Sequence, residues 1–475
     1  MRRGVIFSLS SNIIFFISGY LLHFFLGNTM SAINYGIVGT IITVLDFEYM
    51  FLSNGARQSL AKEISMRRFD TLDVICKTIA FQMIIIAFFF CLNFFGASAF
   101  GIVLNDMSLE FYFKIAAFLI PANGLFVILL GINDGLQQFG ISALLGVIYP
   151  IAKLSAIPLI IFIFQDRPVI GVECGFLLAL LISIIIGILL LIPARKKISH
   201  QNNYKIPFKY VAKNTLSFSF FFIVVSLVLS IDTLVVKSVI APAQMAGYYT
   251  GAVNFGKISY YLMSALVTVI LPVVSKLVGA NNHSEAIRKI QDCMLISCSF
   301  ILPIAVIISA SSSSLLVSFY TEEYATANIA LTCLAISQFF MGLTVMLNMC
   351  LTSYNIHRFS DVLSILALII VVPIFVISAK WGGINAIAFA SLICTCVLAL
   401  ISFIKVTRTI GHIITRNTWK AIAAAAALWI ATRLLFTVFP ITNLFILAIS
   451  YAILFAGFIA FLLACRVITL PKLRP

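Results

Sequence analysis

The chain has 475 residues, of which 62% are hydrophobic and only 10% are charged, and its mean hydropathy is +1.13. Soluble domains are close to half apolar and a quarter charged, so this composition excludes an ordinary water-soluble protein and indicates a lipid bilayer as solvent. The net charge of +15 comes mainly from basic residues in short loops between apolar stretches, which argues against nucleic-acid binding and for membrane orientation signals.

The apolar stretches are long enough to cross the hydrocarbon region, which takes about 20 residues of helix. Because backbone polar groups must be satisfied within each segment, we predict an all-α polytopic membrane protein of about fourteen transmembrane helices. The first stretch follows Arg2 and Arg3 without a cleavage-type motif, and we interpret it as a retained span. The predicted spans are residues 4–26, 35–55, 75–100, 111–132, 142–164, 171–193, 213–238, 247–275, 289–314, 325–352, 359–378, 382–404, 419–438 and 443–465.

The distribution of positive charge tests this count. With an inside N-terminus, loops on one side of the membrane hold 24 of the 31 Lys and Arg residues. Cytoplasmic loops carry such an excess, so fourteen spans with both termini cytoplasmic are predicted. The longest polar connection divides the chain, and we expect an N-terminal lobe of six helices (1–193), a cytoplasmic linker (194–212), a pseudo-symmetric C-terminal lobe of six helices (213–404), and a last helix pair with the C-terminal tail (405–475).

Two spans carry matching polar faces. In the second span, four polar residues and one methionine are spaced i, i+3, i+7, i+10 and i+14, and residues with this spacing lie on one side of a helix. The eighth repeats this spacing at a constant offset of 211 residues, so that Asp46 and Lys257 occupy equivalent places with opposite charge. Polar groups inside a membrane usually face a cavity or one another, and the repeat predicts a water-filled cavity. The two sets are Thr43, Asp46, Met50, Ser53 and Arg57, and Asn254, Lys257, Tyr261, Ser264 and Thr268.

Further charges lie inside predicted spans. Lys153, between Pro150 and Pro158, is interpreted either as a cavity residue or as half of a structural ion pair. Glu48 is on a different face of its helix from Asp46. Arg433 is a candidate for contact with a lipid head group, with snorkelling or a structural partner as the alternative.

The cysteines predict no metal or redox chemistry. The ten cysteines lie mostly within apolar stretches without ligand spacing, where cysteine acts as a small hydrophobe. We therefore expect no cofactor and no metal site.

Three segments resemble a known family. The stretch NYGIVGTIITVLDFEYMFLSNGARQSLAKEIS (34–65) is similar to the second helix and following loop of polysaccharide transport proteins. The stretches IDTLVVKSVIAPAQMAGYYTGAVN (231–254) and VILPVVSKL (269–277) are similar to the seventh and eighth helices of that group. The chain thus resembles the polysaccharide transport or O-antigen flippase branch of the multidrug/oligosaccharidyl-lipid/polysaccharide (MOP) flippase superfamily.

The resemblance implies a location in the bacterial inner membrane and two six-helix lobes around a central cavity. It also implies movement of undecaprenyl-pyrophosphate-linked oligosaccharide to the outer leaflet, for O-antigen, capsule or exopolysaccharide synthesis. Membrane lipids would be further partners, as would a polysaccharide polymerase and glycosyltransferases of the same pathway. Lys257, Lys153 and Arg57 would meet the pyrophosphate. Asp46 and Tyr261 would share the cavity lining, in which the amides of Asn12 and Asn254 would meet sugars.

Two other functions are alternatives to this one. A cation-coupled multidrug antiporter of the same superfamily would favour an acidic cavity, which Lys153 and Lys257 oppose. A membrane polysaccharide polymerase or ligase is an enzyme expected to carry a large outside loop, whereas the predicted outside loops are short. We therefore expect a transporter rather than an enzyme, with Asp46, Glu48 and Asp232 as candidates for coupling to a proton or sodium ion.

Overall fold

The computed structural model describes residues 2–66, 69–193, 204–354 and 356–468, apart from some helical side chains, Asn12 among them. This part of the chain is about 87% helical and contains no strand. The all-α prediction is confirmed. The chain divides into two compact units, residues 1–238 and 239–475. The finer division at residues 193 and 213 stays a prediction.

The first unit holds α1 to α11, apart from the last residue of α11. A π-helical turn, Ser53–Arg57, joins α2 to α3 and inserts an extra residue into the helical turn. The helices are α1 (Arg2–Thr29), α2 (Ala32–Leu52), α3 (Gln58–Met66), α4 (Thr71–Phe95), α5 (Ala97–Val103), α6 (Leu109–Ala116), α7 (Leu119–Gly135), α8 (Phe139–Lys153), α9 (Ala156–Phe162), α10 (Pro168–Leu191) and α11 (Phe208–Val239).

The second unit continues with α12 to α20. A second π-helical turn, Ser297–Ile301, precedes α15, and a 3₁₀ turn, Glu322–Ala327, precedes α17. The helices are α12 (Gln244–Gly256), α13 (Ile258–Gly279), α14 (His283–Ile296), α15 (Leu302–Ala310), α16 (Ser312–Phe319), α17 (Asn328–Ser353), α18 (His357–Thr409), α19 (Arg416–Val438) and α20 (Leu444–Ala464).

Several of these helices continue one another along one predicted span, as α6 continues into α7 and α8 into α9. The longest helix, α18, is two helices joined at Gly382 and Gly383, and Gly383 has a φ of 60° that favours glycine. Grouped in this way, the described helices match the fourteen predicted spans. Ten helical stretches of the described chain are by themselves long and apolar enough to cross a membrane. The protein is a multi-pass membrane protein.

Polar residues in the loops fix where helices begin. Ser31 accepts a hydrogen bond from the backbone N–H of Asn34 at the start of α2, and Asp70 does the same for Asp73 at the start of α4. Thr415 and Thr418 form a reciprocal capping pair at the start of α19. Each cap satisfies backbone donors that the first helical turn leaves free.

Each unit has its own buried hydrophobic cluster. In the first, Leu60 and Ile64 of α3 pack with Ile128 and Ile132 of α7. This packing fixes the segment after α2 against α7, which positions the site described below. In the second, Ala421 and Ala425 of α19 pack with residues of α15 and α20.

Candidate functional site

The first unit contains a cavity of about 300 Å³. This is the lower end of the range for ligand pockets and is room for roughly ten water molecules. Its polar lining comes from α1, α2 and its π-helical turn, α7 and α8. The polar lining residues are Ser11, Tyr49, Ser53, Arg57, Asn123, Asp134, Ser142 and Tyr149.

An ion pair stands on the cavity wall. Arg57 Nε donates to Asp134 Oδ2 at 2.7 Å, and the two side chains are 39% and 17% exposed. Arg57 ends the π-helical turn, and Asp134 lies near the end of α7. Gly131 allows this approach, because a Cβ there would lie 3.0 Å from the Arg57 Cα and 3.2 Å from its carbonyl oxygen. The close packing of these segments therefore presents the guanidinium to the cavity.

Two other lining residues retain hydrogen-bonding capacity. The Asn123 Oδ1 and Ser142 Oγ atoms are buried and have no hydrogen-bond partner among the residues that the structure describes. Buried polar atoms usually find a partner in the protein or in ordered water. Together with the ion pair, these groups make a polar site suited to water, hydroxyl groups or an anion.

A second pair of opposite charges involves Asp46 and Lys153. Lys153 is the last residue of α8, and its Nζ lies 3.9 Å from the ring centre of Phe176 and 5.5 Å from that of Tyr149. Asp46 on α2 is close enough for its charge to act on both Lys153 and Tyr149. Lys153 is therefore held by aromatic faces, with a carboxylate as its electrostatic partner.

The predicted polar face of the second span is divided in the structure. Ser53 and Arg57 line the cavity, whereas Asp46 interacts with Lys153 and Tyr149. Thr43 is buried and donates its hydroxyl to the carbonyl of Gly39 in its own helix. This face therefore supplies one ion pair, between Arg57 and Asp134, and one carboxylate, Asp46, whose charge reaches Lys153 and Tyr149.

In the second unit, Lys257 stands where α12 meets α13 and is half-buried. It makes no ion pair with the described residues of that unit. The neighbouring Asn254 and Tyr261 are half-buried and make interactions of their own. Behind them, Ser259 donates to the carbonyl of Ala335, which ties α13 to α17.

The remaining predicted residues have local partners. The buried Glu48 accepts a 2.5 Å hydrogen bond from Asn93 of α4. Asp232 is buried in α11 and accepts from the backbone N–H of Thr233 at 2.7 Å. Arg433 donates to the carbonyl of Ala310 at 3.3 Å, at the end of α15.

Asn12 lies in α1, and its side chain is outside the described part of the chain. Within the described residues, no group of three His, Cys, Asp or Glu side chains is arranged to hold a metal ion.

Sequence reasoning missed three residues that the structure makes prominent. Asn123 and Asp134 lie on one face of α7 at i and i+11, a spacing that could have identified them. Glu173 lies inside the predicted span 171–193, so the three carboxylates named as ion-coupling candidates were an incomplete set.

Comparison with known proteins identifies the family. The sequence profile of the polysaccharide biosynthesis protein family matches residues 1–278, more than half of the chain. The chain belongs to the polysaccharide biosynthesis protein family. The MatE family profile matches residues 218–377. Both place the chain in the MOP flippase superfamily, which confirms the predicted superfamily.

Solved structures share this fold. The chain is similar to the lipid II flippase MurJ in an inward closed conformation, with a TM-score of 0.73 and 15% identity over 98% of this chain and 100% of that one. It is also similar to an inward-facing multidrug resistance MATE family transporter, with a TM-score of 0.67 and 14% identity over 86% and 98% of the two chains. An outward-facing transporter of that family gives a TM-score of 0.61 and 13% identity over 87% and 95%. No curated protein sequence matches the chain significantly.

Proposed function

We propose that the protein is a flippase that moves undecaprenyl-pyrophosphate-linked oligosaccharide repeat units across the bacterial inner membrane. The observation that carries the proposal is the polysaccharide biosynthesis family match over the same residues that build the polar cavity. A surface polysaccharide such as O-antigen, capsule or exopolysaccharide would be the end product. The positive-inside pattern supports cytoplasmic termini.

The charge pairs suggest how a pyrophosphate would be recognised. Arg57 forms an ion pair with Asp134, and Lys153 lies within the electrostatic reach of the Asp46 carboxylate. A phosphate group offers oxygen atoms of the same type as a carboxylate, with more negative charge. The substrate would therefore displace Asp134 from Arg57 and would also bind Lys153, and Lys257 would provide a further cation.

The sugars need hydrogen-bonding groups of moderate strength. The free acceptor of Asn123 and the hydroxyl of Ser142 offer these in the first unit. We propose that Asn12, Asn254 and Tyr261 add to this set. Transport would then follow alternating access, in which the substrate-binding residues open first to the cytoplasm and later to the outer side.

Partners follow from this reaction. The substrate is made by glycosyltransferases on the cytoplasmic side and consumed by a polymerase on the outer side, so contact with such enzymes is proposed. Membrane lipids surround the chain, and we propose that Arg433, beyond its bond to Ala310, lies near lipid head groups.

Deletion of the gene in its native host tests the proposal. We expect lipid-linked repeat units to accumulate facing the cytoplasm and surface polysaccharide to disappear, and expression of the intact chain should reverse both changes. Normal surface polysaccharide in the deletion strain would contradict the proposal.

The match to the MatE family supports a second candidate, a cation-coupled multidrug antiporter. The same deletion strain separates the two functions. If the protein is an antiporter, the deletion strain should make normal surface polysaccharide and be more sensitive to cationic drugs. The cations Lys153 and Lys257 count against this candidate, because they would repel a cationic drug.

A further inference from the structure

Glu173 is a buried carboxyl group that the proposed transport steps do not use. It is the sixth residue of α10 and is only 3% exposed. Neither of its carboxyl oxygens has a hydrogen-bond partner in the described chain, and no basic side chain pairs with it there. Among the buried acids described above it differs from Glu48, which accepts a hydrogen bond from Asn93.

The surroundings of Glu173 are apolar. It lines a small cavity of about 10 Å³, close to the volume that one water molecule needs. The other lining residues come from α2, α7 and α10 and are all hydrophobic. Those from α2 are Val38, Ile41, Ile42 and Leu45.

In the described part of the chain, the ionisable groups within the electrostatic reach of Glu173 include the phenol of Tyr112 on α6 and the thiol of Cys174 on α10. Neither group is a cation. Arg167, at the start of α10, acts on Tyr112, as does Asp106. An ionised carboxylate in such a place would lose its hydration without a compensating charge or hydrogen bond, which strongly disfavours the ionised form. The packed side chain is therefore the neutral acid, with a bound proton.

Even the neutral acid is an unfavourable choice for this position. A buried hydroxyl without a partner loses its hydrogen bonds to water and destabilises the fold, whereas a leucine would fill the same space without that loss. Release of the proton requires a hydrated carboxylate, and a cavity of about 10 Å³ has room for about one water molecule, so separation of α2 from α10 would admit the additional water. The same α2 carries Asp46 and leads into the turn that holds Arg57, so hydration of Glu173 is mechanically linked to the candidate site.

We propose that Glu173 is a proton-exchange site, and that proton binding and release there is coupled to transport. When the two helices are packed, the carboxyl group holds one proton. When they separate, the proton passes to water and the carboxylate is hydrated. The coupling rests on the proposed flippase function, whereas the proton-bound state of Glu173 does not.

The first test measures protonation alone, on the purified full-length protein in phosphatidylethanolamine and phosphatidylglycerol vesicles. Infrared spectra at neutral pH should show the carbonyl stretch of a protonated carboxylic acid in the wild type. This band should lose intensity in Glu173→Gln and stay unchanged in Glu110→Gln, which alters a half-buried acid paired with Lys114. Identical spectra for the wild type and Glu173→Gln would overturn the proposal.

The second test measures coupling, as surface polysaccharide formed at different external pH values. We expect Glu173→Gln to lower export at least fivefold and to remove its dependence on external pH, with Glu110→Gln resembling the wild type. Glu173→Leu should give the same result. Agreement of the two variants would show that the loss of export does not come from a folding defect caused by the amide group of Glu173→Gln. Loss of the infrared band together with an unchanged pH profile would disprove the coupling. If deletion of the gene leaves polysaccharide unaffected, the flippase proposal fails while the infrared result still decides the proton site.

Discussion

Arg57 Nε and Asp134 Oδ2 lie 2.7 Å apart and join the turn after α2 to the end of α7. The pair neutralises a cation on a cavity wall without burying it completely, since the Arg57 side chain is 39% exposed. Such a pair can be exchanged for an anionic ligand, because the guanidinium binds carboxylate and phosphate with the same fork of donors.

The first prediction compares the two partners. Arg57→Ala should lower polysaccharide export at least tenfold, equivalent to about 1.4 kcal/mol of binding free energy. Arg57→Lys should be intermediate, because an ammonium group is a point charge without the forked geometry. Asp134→Asn should retain export, since it removes the competing carboxylate and keeps the shape. Export and the amount of folded protein would both be measured in the deletion strain. Equal losses of export and of folded protein in Arg57→Ala and Asp134→Asn would instead indicate a purely structural pair.

The second prediction concerns the close approach at Gly131. A Cβ there would lie 3.0 Å from the Arg57 Cα and 3.2 Å from Leu60 Cβ, so Gly131→Ala must displace the π-helical turn. We expect a loss of about 1–3 kcal/mol of stability, as in other overpacked sites, together with reduced export. Gly140→Ala is the matched control, because a Cβ at Gly140 would have no neighbour within 4 Å. Thermal melting in detergent measures the difference, and equal behaviour of the two variants would contradict the packing argument.

Much of the fold could be predicted from sequence. Apolar length and loop charge are local properties, so the helices and their number could be found without knowing how they pack. The polar face of the second span was harder to predict. The prediction from its spacing assumed one regular helix. The π-helical turn Ser53–Arg57 inserts an extra residue into that helix, and this rotates the following side chains by about 100° around the helix axis. Asp46 and Arg57 therefore have different partners.

The partners themselves could not be read from the sequence. Asp134 lies 77 residues from Arg57, and their contact depends on how α7 packs against the turn. Glu173 was missed for another reason. A single acid near the end of an apolar stretch looks like the edge of a span, and only the tertiary packing shows that it is enclosed.

The third prediction tests Lys257, the basic member of the repeated polar face. If it binds the pyrophosphate, Lys257→Ala should abolish export without loss of folded protein, and Lys257→Arg should restore part of it. Its half-buried side chain has no acidic partner among the described residues of its unit, so its removal should cost little stability. Lys276→Ala, at an exposed site near the end of α13, is the control. Full export by Lys257→Ala would remove this residue from the site.

The fourth prediction concerns pH and the ion pair between Asp106 and Lys237. The Lys237 ammonium donates to Asp106 at 2.6 Å and is only 3% exposed, and Ser108 donates to the same carboxylate through its N–H and its hydroxyl. Partial burial acts to raise the pKa of Asp106, but the hydrogen bonds from Lys237 and Ser108 outweigh it and hold that pKa below its ordinary value. The ionised carboxylate therefore stabilises the fold above the unfolded-state pKa, and this contribution is lost as pH falls through the folded-state pKa.

Asp106→Asn should accordingly lower stability at neutral pH by about 3 kcal/mol, because Lys237 is left buried without a compensating charge. The difference from the wild type should begin to shrink below about pH 4, where the unfolded-state carboxyl takes up a proton, and should disappear once the pH falls below the lower folded-state pKa. Melting of the purified protein in detergent across this pH range measures both effects. Asp166→Asn, in an exposed position, should behave as the wild type at every pH. A gap between Asp106→Asn and the wild type that stayed constant down to the lowest pH would show that the lost stability comes from shape and not from the charge of Asp106.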